Sequence, residues 1–423
     1  VKDAAMRMEV NRLYLLAGDT WLPLLNEPQL FDSNEIGSGQ VLIGAQNVPP
    51  GDYRRMRIEV ARAEVIDFTG NYAEVLSEPQ WFEIDSVGLQ NLAVDDSKTI
   101  LLSWDIDASL DSKNRFSPAM LARSTAQQIW SDLLFVSCPE IDTIFIIRTD
   151  NNQVVSSFGL TGGPTYMALD PRSGGRQLYV LCSRDRLIKV VDLDTYRVAE
   201  FFAVPLNDDP SYMLLSGDGN YLYMLDEKNG YLTLMSTDTG QIITRSFLDY
   251  QPNYLHYLPE QNLLAVSLAL SQQVLLLDPN DLRIAGAFST GSFPGGLLDV
   301  DNQLYIAERD DNRVRVIDLS SHAEQNRLVV GLGPRRMIAA GGQIYVANAF
   351  GGSLSVLESG GFGVVQSISG IGMPGEMALN TFYRRIYIAD EGGDGLSVVD
   401  VNSNRVLKRI KLGALPFGLT VIQ

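Results

Sequence analysis

Histidine and cysteine are nearly missing from this chain, with two of each among 423 residues. Two histidines, His256 and His322, cannot serve several haems, and no C-x-x-C-H segment offers a covalent haem attachment. The same scarcity disfavours a histidine-based zinc centre. The cysteines, Cys138 and Cys182, fall at matching places in consecutive repeats, three residues after Phe135 and Tyr179. Matching positions in neighbouring repeats usually stand farther apart than disulfide geometry permits. Two buried thiols acting as small apolar residues are therefore the first expectation, and a bridge between them is the second. Bases are also scarce, at 33 against 51 acids, for a net charge of −18. The deficit is even along the chain, −8 over residues 1–130 and −10 over the rest, so it is not an acidic tail. Phosphate binding needs clustered Lys and Arg, which disfavours nucleic acid as a partner. An acidic surface favours solubility and could attract a basic partner. No run approaches 18 apolar residues, so no membrane span is expected, and no signal peptide is legible. Val1 in place of an initiator Met suggests a processed, exported chain.

Proline keeps a period in the last two thirds. Pro164, Pro210, Pro252, Pro294, Pro334, Pro374 and Pro416 are separated by 46, 42, 42, 40, 40 and 42 residues. That spacing marks one supersecondary unit copied in a row. Each proline opens an apolar run, as in PTYMALD (164–170) and PNYLHYL (252–258). A turn follows, and then a strand built around an aromatic or small residue, such as QLYVL (177–181), YLYML (221–225), QIYVA (343–347) or RIYIA (385–389). A third strand usually ends on an acid, at Asp192, Asp278, Asp318, Glu358 and Asp400. The fourth carries β-branched residues. Apolar runs of five to seven residues bounded by Gly, Asn and Asp are strand signals. Four strands in each of seven repeats predict an all-β, seven-bladed β-propeller over residues 131–423. The first repeat, at 133–160, lacks its inner strand. That strand returns at the end as PFGLTVI (416–422), which predicts that the C-terminal strand closes the ring and removes its open edges.

Residues 1–130 follow another pattern. They hold all four tryptophans: Trp21, Trp81, Trp104 and Trp130. In YRRMRIEV (53–60), Met56, Ile58 and Val60 alternate with Arg55, Arg57 and Glu59. In LLSWDIDASL (101–110), Leu102, Trp104 and Ile106 alternate with Ser103, Asp105 and Asp107. Clean alternation marks antiparallel sheet with one wet face and predicts an N-terminal β-sandwich of roughly seven strands. The segment 117–128 fits a last strand or a short helix, with the domain boundary near 128–132.

The cadence "LYV…VxVID", repeated over about 290 residues, resembles the YVTN family of surface and secreted β-propellers. The front part is similar to a sandwich domain of unknown function found in bacterial secreted proteins and lipoproteins. The residues carrying that likeness are WLPLL (21–25), VLIG (41–44), VPPGDY with MRI (48–58) and WDIDASL (104–110). Together the resemblances imply export to the periplasm, cell surface or extracellular space, and neither implies catalysis.

In a propeller, the loop entering each inner strand and the loop after each second strand share one face. That face should carry Tyr166, Tyr212, Tyr254, Arg335, Arg336, Glu376 and Phe417. Tyrosine rings and hydroxyls facing arginine forks could hold a flat or anionic group, or they could line the funnel and bond to one another. The same face gains Asp185, Asp226, Glu227, Asp310, Asp311, Asp390, Glu391 and Asp394. The run DEGGDG (390–395) has the look of a calcium loop through Asp390, Glu391 and Asp394, and equally that of a tight hydrated turn. Otherwise no cofactor is expected. His256 sits on an inner strand without a recognisable catalytic set, and His322 lies in an exposed loop. The expected function is a non-enzymatic binding scaffold for a protein, a polymer or a surface component, with an accessory subunit of an extracellular complex as a sub-case. The alternative is a lactonase-like hydrolase using Arg336, Glu376 and His256.

Overall fold

The computed structural model describes residues 5–25, 27–36, 40–66, 71–92, 98–111, 113–123, 132–204, 209–361 and 363–422. The chain is all-β. Among the described residues from 133 onward, seven antiparallel sheets of four strands follow one another, as in a β-propeller-like fold. Six take consecutive strands, and six of the seven timing prolines begin an inner strand, in the runs Pro164–Leu169, Pro210–Leu215, Pro252–Leu258, Pro294–Val300, Pro334–Ala340 and Pro374–Asn380. Proline suits the first position of a strand because the ladder needs no N–H there.

The second and third strands are the buried layers. Leu133–Cys138 is buried at every position, and the central residues of Arg313–Asp318 and Ser353–Glu358 are buried as well. Neighbouring sheets cover both faces of these strands, which explains their continuous apolar runs. The outer strands are wet, as in Val364–Ser369, where only Ile368 is buried. Each fully buried aliphatic side chain contributes roughly 1.5–3 kcal/mol to this packing.

The first sheet has the order Gln153–Gly159, Thr143–Arg148, Leu133–Cys138, Leu419–Ile422. Its inner strand is therefore the last of the chain, with Leu419 opposite Val136 and Ile422 opposite Leu133. The Ser137 amide donates to the Gly418 carbonyl at 2.9 Å, and the Phe417 amide donates to the Ser137 carbonyl at 2.8 Å. The Gly418 amide donates to Ser137 Oγ at 2.8 Å. The seventh sheet also holds the first directly, since the buried Tyr387 hydroxyl donates to Asn152 Oδ1 at 2.7 Å. Both thiols are free and buried, and burial pushes each of them up to about 12.

The front region forms one hydrogen-bonded network of eight strands, built on Ala5–Ala17, Gly51–Ile66 and Gln80–Leu92. Alternation is visible in the burial. Met6, Met8, Val10, Leu13 and Leu15 pack with Met56, Ile58 and Val60, while Arg12 is left in water. Residues Ala119–Arg123 form a strand, not a helix. The proposed boundary near 128–132 lies, except for Asp132, outside the described residues. The Gln40 amide donates to the Lys411 carbonyl at 2.7 Å, so the front region touches the outer strand of the seventh sheet.

Candidate functional site

Each of the six complete inner strands carries a register shift within its first four residues. A bulge re-aims side chains and is common beside functional sites. Here the second residue after each proline becomes part of one cluster. Tyr166 and Tyr212 have ring centroids 4.4 Å apart, and Tyr212 and Tyr254 have centroids 4.7 Å apart. The Arg336 guanidinium lies 4.6 Å from the Tyr254 ring centroid. Arg336 is ion-paired with Glu376 through Nε, and its Nη2 donates to the Tyr166 hydroxyl at 3.2 Å. That hydroxyl donates to Glu376 Oε1 at 3.3 Å, closing a loop of contacts. Phe417 packs edge-on against Tyr166 at 5.2 Å. The fifth sheet contributes Gly296 at this level. A Cβ there would stand 2.6 Å from the Arg335 carbonyl oxygen, so only glycine lets the neighbouring strand approach.

Electrostatics follow from this burial. Burial first, and then the charge of Glu376, pushes the Tyr166 hydroxyl well above its ordinary range. Burial and then Tyr254 do the same to Tyr212. Burial opposes the charge of Arg336, but Glu376, with Tyr166 and Tyr254 behind it, outweighs that and raises the guanidinium. The cluster is thus a self-satisfied polar and aromatic plug. A cavity of about 450 Å³ adjoins it along the inner strands, lined by Tyr166, Tyr212, Tyr254 and Glu376 of the cluster together with Met167, Met213 and Met377.

Of the seven expected funnel residues, six meet in the plug. Arg335 instead pairs with Glu391. Glu227 sits near these arginines. Burial and then Asp209 push its carboxyl above the usual range, against the pull of Arg335 and Arg336. The DEGGDG carboxylates are engaged separately. Asp390 accepts the Met373 amide at 2.8 Å, Glu391 holds Arg335, and Asp394 stands 3.6 Å from Lys411. Among the described residues, no group of three or more His, Cys, Asp or Glu side chains could hold a metal ion. Asp185 lies 3.8 Å from Lys189, Asp226 is fully buried and 3.7 Å from Arg245, Asp310 pairs with Arg309 at 2.8 Å, and Asp311 accepts the Ser292 amide at 2.8 Å.

Sequence reasoning missed one partnership. His256 Nε2 and Asp299 Oδ1 lie 2.6 Å apart, bridging the fourth and fifth inner strands. The bond to His256 holds the Asp299 carboxyl below its ordinary value. The residues are 43 positions apart, close to one repeat, so the only available signal was their similar place in consecutive units. His322 packs edge-on to Phe288 at 5.2 Å.

Among the described residues, no helix is long and apolar enough to cross a membrane. No family model and no curated protein matches the chain. Solved structures do. A functionally unknown protein from Desulfotomaculum acetoxidans DSM 771 aligns over 69% of this chain and 99% of its own, with a TM-score of 0.61 at 15% identity. Dihydro-heme d1 dehydrogenase NirN, in complex with DHE, aligns over 74% of this chain and 68% of its own, with a TM-score of 0.53 at 16% identity. Hydrazine synthase of Kuenenia stuttgartiensis aligns over 62% of this chain and 96% of its own, with a TM-score of 0.53 at 15% identity. At such identities the likeness concerns the fold, and the chain has a β-propeller-like fold.

Proposed function

We propose that this protein is an exported or cell-surface binding scaffold. In this reading residues 131–423 form a seven-bladed propeller domain of the YVTN kind. Residues 1–130 form a separate lipoprotein-type β-sandwich that tethers or spaces it. The loop face of the propeller holds a protein, polymer or surface component, and the assembly includes the sub-case of an accessory subunit in an extracellular complex.

One observation carries the proposal. The loop face leaves large apolar side chains in water: Tyr250 at 58%, Leu270 at 60%, Leu332 at 58% and Phe350 at 65% exposure. Tyr250 and Leu332 precede the inner strands beginning at Pro252 and Pro334, and Leu270 and Phe350 follow the second strands paired with them. Exposed apolar groups gathered at one face mark interaction surfaces. The plug beneath them offers its polar groups to one another. Its tyrosines and Arg336 thus serve to hold the ring, and a flat or anionic ligand would have to displace Glu376 to reach Arg336. Calcium at Asp390, Glu391 and Asp394 would likewise require Glu391 to leave Arg335.

The test is saturable binding of the purified full chain to envelope fractions from its source cells. Binding should fall at least tenfold in a Leu332→Asp, Phe350→Asp double variant of unchanged fold. Equal binding by that variant removes the loop face from the account. The His256–Asp299 pair favours a second reading, a lactonase-like hydrolase, because a carboxylate that orients an imidazole is what a general base needs. Turnover of a lactone or ester panel that disappears in His256→Ala would establish that reading instead.

A further inference from the structure

The front sheet carries a feature that the scaffold reading does not use. On the strand Gly51–Ile66, Arg57 alternates with the buried Met56 and Ile58 and emerges on the outward face. Register places Tyr14 and Glu83 opposite it, and Trp81 opposite Glu59. The hairpin that pairs Leu16 with Trp21 folds a third ring over the same spot. The Arg57 guanidinium carbon lies 4.4 Å from the Trp21 ring centroid, 4.6 Å from that of Trp81 and 5.0 Å from that of Tyr14. Tyr14 and Trp81 are 5.7 Å apart, and Trp81 is 43% exposed.

Arg57 also differs in its partners from several arginines of its sheet. Arg7, Arg12, Arg54 and Arg62 of the same sheet each have a carboxylate within ion-pair distance. Among the described residues Arg57 has none, and its Nε is buried without a hydrogen-bond partner. Its guanidinium is thus surrounded by three ring faces, although Glu83 stands opposite Arg57 in the strand register. Ring faces attract the guanidinium without using its in-plane N–H fork, which matches a carboxylate. Of the acids on the same face, Glu59 stands 3.6 Å from Arg12 and Glu83, though opposite in register, makes no ion pair with Arg57; charges beyond a Debye length of about 8 Å are screened at physiological ionic strength.

We propose that this face is a binding site for a glycan bearing carboxylate sugars. The apolar face of one pyranose ring lies on Trp81, and the carboxylate of the same or the adjoining sugar takes the Arg57 fork. Exposed aromatic rings beside an unpaired cation complement that combination of flat C–H surface and negative charge. The site gives the front region a ligand of its own and does not depend on the propeller's loop face.

The experiment is affinity electrophoresis of the full chain through gels containing polygalacturonate, dextran or poly-glutamate, with tryptophan fluorescence as a second readout. Polygalacturonate should retard the wild type and change its emission. Trp81→Ala should reduce the retardation at least tenfold at an unchanged melting temperature. Arg57→Lys, which keeps the charge and loses the fork, should reduce it severalfold. Dextran should have no effect. Absence of retardation by polygalacturonate, or equal retardation of Trp81→Ala, overturns the proposal. Equal retardation by dextran overturns the carboxylate requirement, and retardation by poly-glutamate alone assigns the face to acidic peptides instead.

Discussion

Two arginines set the two halves of the molecule against each other. Arg336, in the channel of the repeat region, is 4% exposed and has a carboxylate, a hydroxyl and a ring as neighbours, each from a different sheet. Arg57, on the front sheet, has three rings around it and, among the described residues, no carboxylate within ion-pair distance. The first arrangement closes on itself and holds neighbouring sheets together. The second leaves its buried Nε without a hydrogen-bond partner among the described residues. Saturation of polar groups therefore separates a structural centre from a candidate site better than the mere presence of tyrosine and arginine does.

The contrast has consequences of graded size. Arg336→Ala should be the most damaging, because removing one partner of a buried pair leaves the other charge uncompensated at a cost of about 3–5 kcal/mol. Arg57→Ala should cost only about 1 kcal/mol, the scale of partly exposed cation–π contacts. Denaturant unfolding of both variants checks the pair, and equal losses would erase the distinction.

Glu227→Gln sharpens it through pH. The folded carboxyl is raised by burial, so its ionisation opposes folding: wild-type stability from this group is complete below its ordinary value of 4.5 and is lost as pH rises through the higher folded value. The glutamine variant should thus melt at a higher temperature than the wild type at pH 7, with the gap closing below pH 4.5. A gap that grows on acidification would contradict the placement of Glu227 beside the plug.

The smallest effect concerns the thiols. Cys138 and Cys182, buried and pushed up to about 12, should ignore a thiol reagent in the native protein and both react after unfolding. Rapid labelling of either in the native protein would show that the second strands are not sealed between sheets.

Much of the repeat region was legible because its signal is one-dimensional. Proline at a fixed period marks where inner strands begin, and continuous apolar runs such as LLFVSC mark strands covered on both faces. The return of the missing strand at 416–422 could be counted, and Leu419–Ile422 does pair with Leu133–Cys138. The plug's residue types were legible too, since each follows a timing proline. That they bond to one another was one of two alternatives open in the sequence; which residue meets which was not legible, because it depends on bulges that no composition signal announces. Arg335 and Arg336 look alike in sequence, yet one turns to Glu391 and the other to Glu376. In the front region, alternation placed Arg57 on the wet face. The three rings reach it from Ala5–Ala17, Thr20–Pro23 and Gln80–Leu92, and only strand pairing reveals that.

Hydrogen exchange across the closing strand is the most direct measurement. If the chain's last strand completes its first sheet, amides of residues 419–422 that bond to Leu133–Cys138 should exchange as slowly as those in the middle of the other sheets, and removing residues 416–423 should expose 133–138 to rapid exchange. Fast exchange at 419–422 beside continued protection of 133–138 would contradict the closure, and with it the plug that the closed ring holds in place.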